Sequence, residues 1–362
     1  MMTKQTTRRG LIAGAAAGLA ATAVASPAIA DGNRKWRMLT SWPKGSPGPG
    51  QSADRLAKRI TDASDGRISI KVYGAGEVVS GFEVFDAVAG GTAEMAHTAS
   101  AYWTGKTAAA AYFTSVPFGL TSREHMAWIY HGGGQALWDK LYEPFGIKPF
   151  MAGNTGMQMG GWFKKPIRSL EDFKGLKIRI IGFGGDIYRR LGATTVAMPA
   201  SDIFTNLASG AIDAAEFLGP WSDEAFGFYK VAPYYVWPGF NKPNGTGECL
   251  IRRELFEDLP VDLQTVVQDA CIAEHAYALA EADWKNADAL ERLVTERGVT
   301  LMPLPDDLIA AARTEARLVM DAALAEAPLG KEIEESYAEA QRKAKGWGTV
   351  GTAAYQSIRD AD

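Results

Sequence analysis

Two stretches, Trp36-Arg37-Met38-Leu39-Thr40-Ser41-Trp42 and Arg67-Ile68-Ser69-Ile70-Lys71-Val72-Tyr73, decide the fold class. The second alternates apolar and polar residues cleanly, the period of a half-buried strand, and the first does so partially before Pro43 stops it. Between them, residues 44–50 hold Pro47, Pro49 and three glycines and read as a loop. Residues 51–64 carry Ala53, Leu56, Ala57, Ile60 and Ala63 at helical spacing. A helical stretch over 81–90 and a short strand over 93–97 continue the rhythm. Strand, helix, strand, helix, strand predicts right-handed βαβ units in a mostly parallel sheet.

The pattern restarts further on. Strands are expected over 176–181, 194–197 and 212–218, with helices over 186–191 and 201–209, the last capped by Ser201. Helices over 122–130 and 135–142 and strands over 147–151 and 157–163 lie between the two runs, and 247–251 returns as a strand. The last third, 261–297 and 306–345, is rich in Ala, Glu, Leu and Arg and predicts long helices, the second interrupted at Pro328-Leu329-Gly330. Ala87-Val88-Ala89-Gly90-Gly91-Thr92-Ala93-Glu94 echoes Leu207-Ala208-Ser209-Gly210-Ala211-Ile212-Asp213-Ala214. Two similar α/β halves leave a cleft between them, a natural ligand site.

The 362 residues, 47% hydrophobic with 38 Lys+Arg against 42 Asp+Glu, exclude a collagen, a disordered tail and a polytopic membrane protein, and suggest about two domains. The first thirty residues stand apart. Lys4, Arg8 and Arg9 precede an uncharged apolar run, and Ser26-Pro27-Ala28-Ile29-Ala30 closes it with small residues. That is the layout of an export signal cleaved after Ala30, and Thr7-Arg8-Arg9-Gly10-Leu11-Ile12 carries the paired arginines of the twin-arginine route. Without residues 1–30 the chain holds 35 basic and 42 acidic side chains, a formal −7. This argues against nucleic acid and anionic membrane surfaces as partners. Cys249 and Cys271 have no metal-motif spacing; they read as buried free thiols, with a disulfide as the alternative in an exported chain.

Catalytic signatures are missing: no G-x-S-x-G, no H-E-x-x-H, no P-loop. His131-Gly132-Gly133-Gly134 reads as a turn between helices, and the four histidines are scattered without metal spacing. Binding chemistry concentrates elsewhere. Asn154-Thr155-Gly156-Met157-Gln158-Met159-Gly160-Gly161-Trp162 combines amides, glycines and an aromatic, suited to a ligand wall or to a strand with bulges. Arg179, between Ile178 and Ile180, faces away from both, towards solvent or a cleft; in a cleft its fork can grip a carboxylate. Glu216 ends its strand just before Gly219-Pro220. A carboxylate there would repel an acid ligand unless a hard cation, held by Glu216, the Gln158 amide oxygen and a backbone carbonyl, removed the conflict. Tyr102, Trp103, Trp162 and Phe217 offer apolar walls.

These residues carry a resemblance. The chain resembles the extracytoplasmic solute receptors of TRAP (tripartite ATP-independent periplasmic) transporters over nearly all of its length after residue 30. The signature is Ser169-Leu170-Glu171-Asp172-Phe173-Lys174-Gly175-Leu176-Lys177-Ile178-Arg179, with 199–216 as a second block. Asn154–Trp162, Trp128-Ile129-Tyr130-His131-Gly132-Gly133-Gly134 and Lys230-Val231-Ala232-Pro233-Tyr234-Tyr235 are most similar to the branch binding 2-oxo acids such as pyruvate.

The resemblance implies a two-lobed periplasmic solute-binding α/β fold with hinge strands, an inter-lobe cleft and a long C-terminal helix. The lobes would be 31–153 with 241–298, and 154–240 with 299–345 including the bracing helix, followed by a C-terminal extension, 346–362. By position, Arg179 would pair with the substrate carboxylate, and Gln158 would contact substrate and a cation, sodium or alternatively calcium. Glu216 and the Phe217 carbonyl would complete the cation site, while Tyr102, Trp103, Asn154 and Phe217 would face the ligand. No organic cofactor is implied. Lys242 stands where an acidic residue is expected, which would admit a second anionic or polar ligand group. The partners implied are a small organic acid, TRAP permease membrane subunits and a second copy through the C-terminal helix. An exported enzyme on an organic acid and a periplasmic sensor are the competing functions.

Overall fold

Strand β1 (Arg34–Thr40) sends Trp36 and Met38 into one apolar cluster and Leu39 into another, as its period requires. Helix α1 (Pro49–Ala63) starts on a proline and buries Ala53, Leu56, Ala57 and Ile60. Strand β2 (Ile68–Tyr73) follows, then α2 (Val84–Ala89), β3 (Met95–Thr98), α3 (Ser122–His131) and α4 (Gly134–Tyr142). The α3–α4 turn runs through Gly133 at φ +87°. After β4 (Ile147–Asn154) come β5 (Gly161–Phe163), β6 (Lys177–Arg179), α5 (Phe183–Arg190) and β7 (Thr194–Val196). Then α6 (Ala200–Ser209), β8 (Ala214–Ala215), α7 (Pro220–Phe226) and β9 (Tyr234–Trp237) complete a second layer. The chain returns as β10 (Thr246–Arg252), α8 (Arg253–Glu257) and α9 (Val261–Thr295), leaves again for β11 (Thr300–Pro303), and ends in α10 (Asp306–Ala325), α11 (Gly330–Gly348) and α12 (Ala354–Arg359). This computed structural model describes residues 33–361, so the expected export signal lies outside the described residues.

Two sheets form, ordered β2-β1-β3-β10-β4 and β11-β9-β5-β8-β6-β7. Both are mixed rather than mostly parallel. β10 enters antiparallel between β3 and β4, and β5 pairs antiparallel with β8 and β9. The reason is connectivity: strands arriving from the other unit enter in the direction the crossover dictates. The strand expected over 157–163 shrinks to β5, because the backbone of Gln158 pairs with the second crossover instead. The helix expected at Ser201 begins at Ala200, and Ser201 spends its hydroxyl on Asp202 rather than on a cap. Cys249 and Cys271 are free and buried. Among the described residues no helix is long and apolar enough to cross a membrane.

Three connections tie the units. Residues 155–160 and 238–245 run side by side, with Thr155 N–H donating to Gly245 O (3.1 Å), Gln158 N–H to Lys242 O (3.2 Å) and Gly239 N–H to Gln158 O (3.1 Å). The third is α9, 35 residues and so about 52 Å long, which packs on α1 and β4 at one end and α7 at the other. The C-terminal helices also divide. α10 lies against α5, whereas α11 leaves the second unit and packs on α3 and α4. The break falls at Leu329, whose φ is +56°, and Gly330, where a Cβ would sit 2.1 Å from Leu324 O.

The paired crossovers leave no room at Gly245, where a Cβ would lie 1.8 Å from Thr155 Oγ1. Gly245→Ala should therefore lower stability by about 2 kcal/mol in urea unfolding, and adding Thr155→Ala should return part of it.

Candidate functional site

The carboxyl ends of β1, β3 and β4 and the start of β10 face the carboxyl ends of β6, β8 and β9. Open α/β sheets place ligands outside that edge. Between the two edges lies a cavity of about 40 Å³. Trp42, His97, Tyr102, Asn154 and Thr246 line it from the first unit or its boundary, and Gln158, Arg179, Phe217 and Lys242 from the second unit and the crossovers.

Arg179 ends β6 and is fully buried. Its Nε and Nη2 donate to Met198 O at 3.1 and 3.0 Å, and its Nη1 donates to Glu216 O at 2.7 Å. A guanidinium has five N–H groups. Two remain, one on each terminal nitrogen, for a ligand. The guanidinium also lies over the Phe217 ring, 5.6 Å from its centre. Tyr102 faces this charge from the other unit; burial raises its hydroxyl pKa and Arg179 opposes the shift.

Glu216 follows β8 and is also fully buried. The Lys242 ammonium sits 2.8 Å from its Oε1 and 3.1 Å from its Oε2, and Arg179 Nη1 stands 3.6 Å from Oε2. The Lys242 charge, expected to face a second ligand group, is thus committed to Glu216. Burial draws the Lys242 pKa below the ordinary lysine value, and Glu216 pulls it back. The Gln158 amide nitrogen donates to Thr155 Oγ1 (3.1 Å), which turns its oxygen towards Glu216 Oε1 and the Phe217 carbonyl; with the amide turned over, the nitrogen donates to those two acceptors at 3.0 and 3.1 Å. Behind them Asp223 accepts from Trp162 Nε1, Tyr235 Oη and the Leu218 N–H, and burial pushes its carboxyl up to about 7. It fixes the segment after β8, and nothing in its local sequence announced it.

Two expected wall aromatics are reassigned. Trp103 does not line the cavity: it packs on Phe85 and its indole N–H donates to Glu248. Trp162 stacks on Tyr235 and serves Asp223. Asn154 borders the cavity, but its Oδ1 accepts from the Gly156 N–H (2.8 Å) and its Nδ2 donates to Asn244 Oδ1 (2.9 Å), so its amide holds the crossover. Conversely, His97, read as structural, forms part of the wall. Its Nδ1 accepts from Trp42 Nε1 (2.9 Å), so Nε2 carries the hydrogen, buried and without a hydrogen-bond partner among the described residues.

Residues 39–327 match the family described as bacterial extracellular solute-binding protein, family 7 (DctP). The chain belongs to this family. It is a solute-binding protein of TRAP type. A monocarboxylate 2-oxoacid-binding periplasmic protein of Nostoc sp. is 39% identical over 326 residues, 90% of this chain and 89% of the relative. A TRAP transporter solute binding protein of Bordetella bronchiseptica, a dimer of mixed occupancy with copurified calcium and picolinate, is 35% identical, with a TM-score of 0.88 over 90% of this chain and 97% of its own. A TRAP periplasmic solute binding protein of Pseudoalteromonas atlantica, with sodium and pyruvate bound, is 33% identical, with a TM-score of 0.87 over 91% of this chain and 100% of its own.

The group that takes Trp103 away from the cavity has a pH signature. Burial raises Glu248 to about 7, against hydrogen bonds from Trp103, Ser100 and Tyr142. Folded Glu248 therefore keeps a proton that the unfolded chain releases above about pH 4.5, and its contribution to stability falls as pH rises to about 7. Glu248→Gln has no such proton to lose. Its stability relative to the natural chain should climb between those pH values, by up to about 3 kcal/mol, in chemical denaturation curves.

Proposed function

We propose that this receptor captures a small 2-oxo monocarboxylate, pyruvate or a near neighbour, or its 2-hydroxy counterpart, and presents it to TRAP permease membrane subunits for uptake. The observation that carries the reading is the pair of Arg179 N–H groups left over inside a cavity of about 40 Å³ walled from both units. A carboxylate accepts such a pair as charge-assisted bonds. At roughly 10–15 Å³ per water-sized occupant, the space suits a ligand of a few heavy atoms and is too small for a hexuronate. His97, held neutral by burial, adds a polar group to the wall. Tyr102, Phe217 and Trp42 supply apolar wall.

The lobes follow the two sheets, and closing them would bury the acid, the populations shifting with ligand. The reading assigns residues 1–30 to a twin-arginine export signal cleaved after Ala30 and the mature chain to the periplasm. It also assigns a homodimer through the C-terminal arm. Helix α11 continues through a π-helical turn into α12, and Trp347, Val350, Tyr355 and Ile358 are exposed along it; an unburied apolar row on an arm suits a second copy. The expectation of sodium, or calcium, on Gln158, Glu216 and the Phe217 carbonyl meets a competitor in Lys242.

Thermal melting against pyruvate, lactate, galacturonate and succinate tests the ligand class. A ligand that binds only the folded chain adds about 2.7 kcal/mol at a hundred times its dissociation constant. Pyruvate or lactate should raise the midpoint and galacturonate should not. Arg179→Ala should abolish the shift. A shift confined to galacturonate or succinate would remove the small-monocarboxylate reading. In sedimentation the described arm should matter: deleting residues 346–362 should convert a dimer to a monomer, and an unchanged mass would take the arm out of the interface.

A further inference from the structure

A hard cation needs oxygens whose lone pairs are unclaimed. The three groups that could hold one here are Glu216, the Phe217 carbonyl and the Gln158 amide, and each is already claimed. Lys242 Nζ lies within 3.1 Å of both Glu216 oxygens. Turned with its nitrogen towards them, the Gln158 amide donates to Glu216 Oε1 and the Phe217 carbonyl and accepts from Thr155, so that no cation is needed to separate these oxygens. Among the described residues no three His, Cys, Asp or Glu side chains gather here, so a cation would rest on Glu216 and on amide and carbonyl oxygens. The residues present therefore do not fit a bound sodium or calcium ion as they fit a lysine.

The charge count agrees. Arg179 and Lys242, buried against Glu216, leave one positive charge over. One monocarboxylate brings the contacting groups to neutrality. Sodium would restore an unpaired positive charge to a buried site and calcium two, and an unpaired buried charge is costly. Without Lys242 the count reverses: Arg179, Glu216 and the ligand would need one cation more.

We infer that the Lys242 ammonium occupies the cation position of this site, so that the chain binds its acid without a metal ion. This rests on the monocarboxylate reading of the same cavity. Lys242 reaches Glu216 from the second crossover, whose backbone is held by the Gln158 N–H on Lys242 O. The charge that stabilises the acid is thus built into the hinge. It also selects ligands: a dicarboxylate would bring one negative charge too many, with no exchangeable cation to offset it.

The test is calorimetric titration of the full mature chain with pyruvate, in choline buffer with chelator and then with sodium or calcium added. The expected dissociation constants agree within about twofold. Loss of pyruvate binding in the cation-free buffer, restored by sodium or calcium, overturns the inference and leaves the acid-receptor reading standing. No pyruvate binding in any buffer overturns both. Lys242→Met provides the converse. It keeps the side chain's bulk, removes its charge and vacates the position, so pyruvate binding in choline should weaken by more than about tenfold and recover when sodium or calcium is added. A variant that binds pyruvate in choline as the natural chain does overturns the inference. So does a variant with native circular dichroism that neither cation restores.

Discussion

Everything at the centre of this molecule answers to one electrostatic constraint: Arg179, Glu216 and Lys242 are held together out of water. Removing Glu216 would strand two positive charges, since a buried pair broken on one side leaves an uncompensated charge. Each comes from a different part of the chain, the end of β6, the end of β8 and the second crossover. Their cluster can form only when the second sheet has its strand order and the two crossovers lie side by side. The backbone carbonyls of Met198 and Glu216, which take three of the Arg179 donors, belong to the same edge. Scaffold and charge cluster specify one another.

The surroundings show how a polar centre is supported at depth. Asp223 meets Trp162, Tyr235 and the Leu218 N–H, and Glu248 meets Trp103, Ser100 and Tyr142. Burial raises each carboxyl to about 7, and the neutral donors that ring it pull the other way, so each titrates near neutrality and can be ionised there without a counter-ion. One such group stiffens the segment after β8, the other anchors the wall after β3. The charged groups are kept for the cavity and the protonatable ones for the frame.

Much of this was legible beforehand, for physical reasons. An arginine between isoleucines in a short strand is conspicuous, and so is a glutamate at a strand end before Gly-Pro; the first lines the cavity and the second backs it through Lys242. The βαβ rhythm declared the two α/β units because apolar periodicity follows burial. What stayed hidden depended on direction. Tyr102 and Trp103 are neighbours in a 3₁₀ turn, where successive side chains diverge by about 120°, so one faces the cavity and the other the core. Asn154 lines the cavity as its amide suggested, but its second duty, accepting the Gly156 N–H, appears only once the chain turns. The antiparallel entry of β10 depends on where the hinge delivers it. His97 had no signal at all, being a single histidine in a four-residue strand.

The cavity wall comes from both units, so parting them uncovers whatever the cavity holds. Residence time then belongs to the hinge rather than to the contacts alone: escape waits on separation of Tyr102 from Arg179, on the microsecond-to-millisecond scale of domain opening or slower. Glycines at 239 and 245, which carry no side chain to offer a ligand, become kinetic determinants, because they set how closely the crossovers pack.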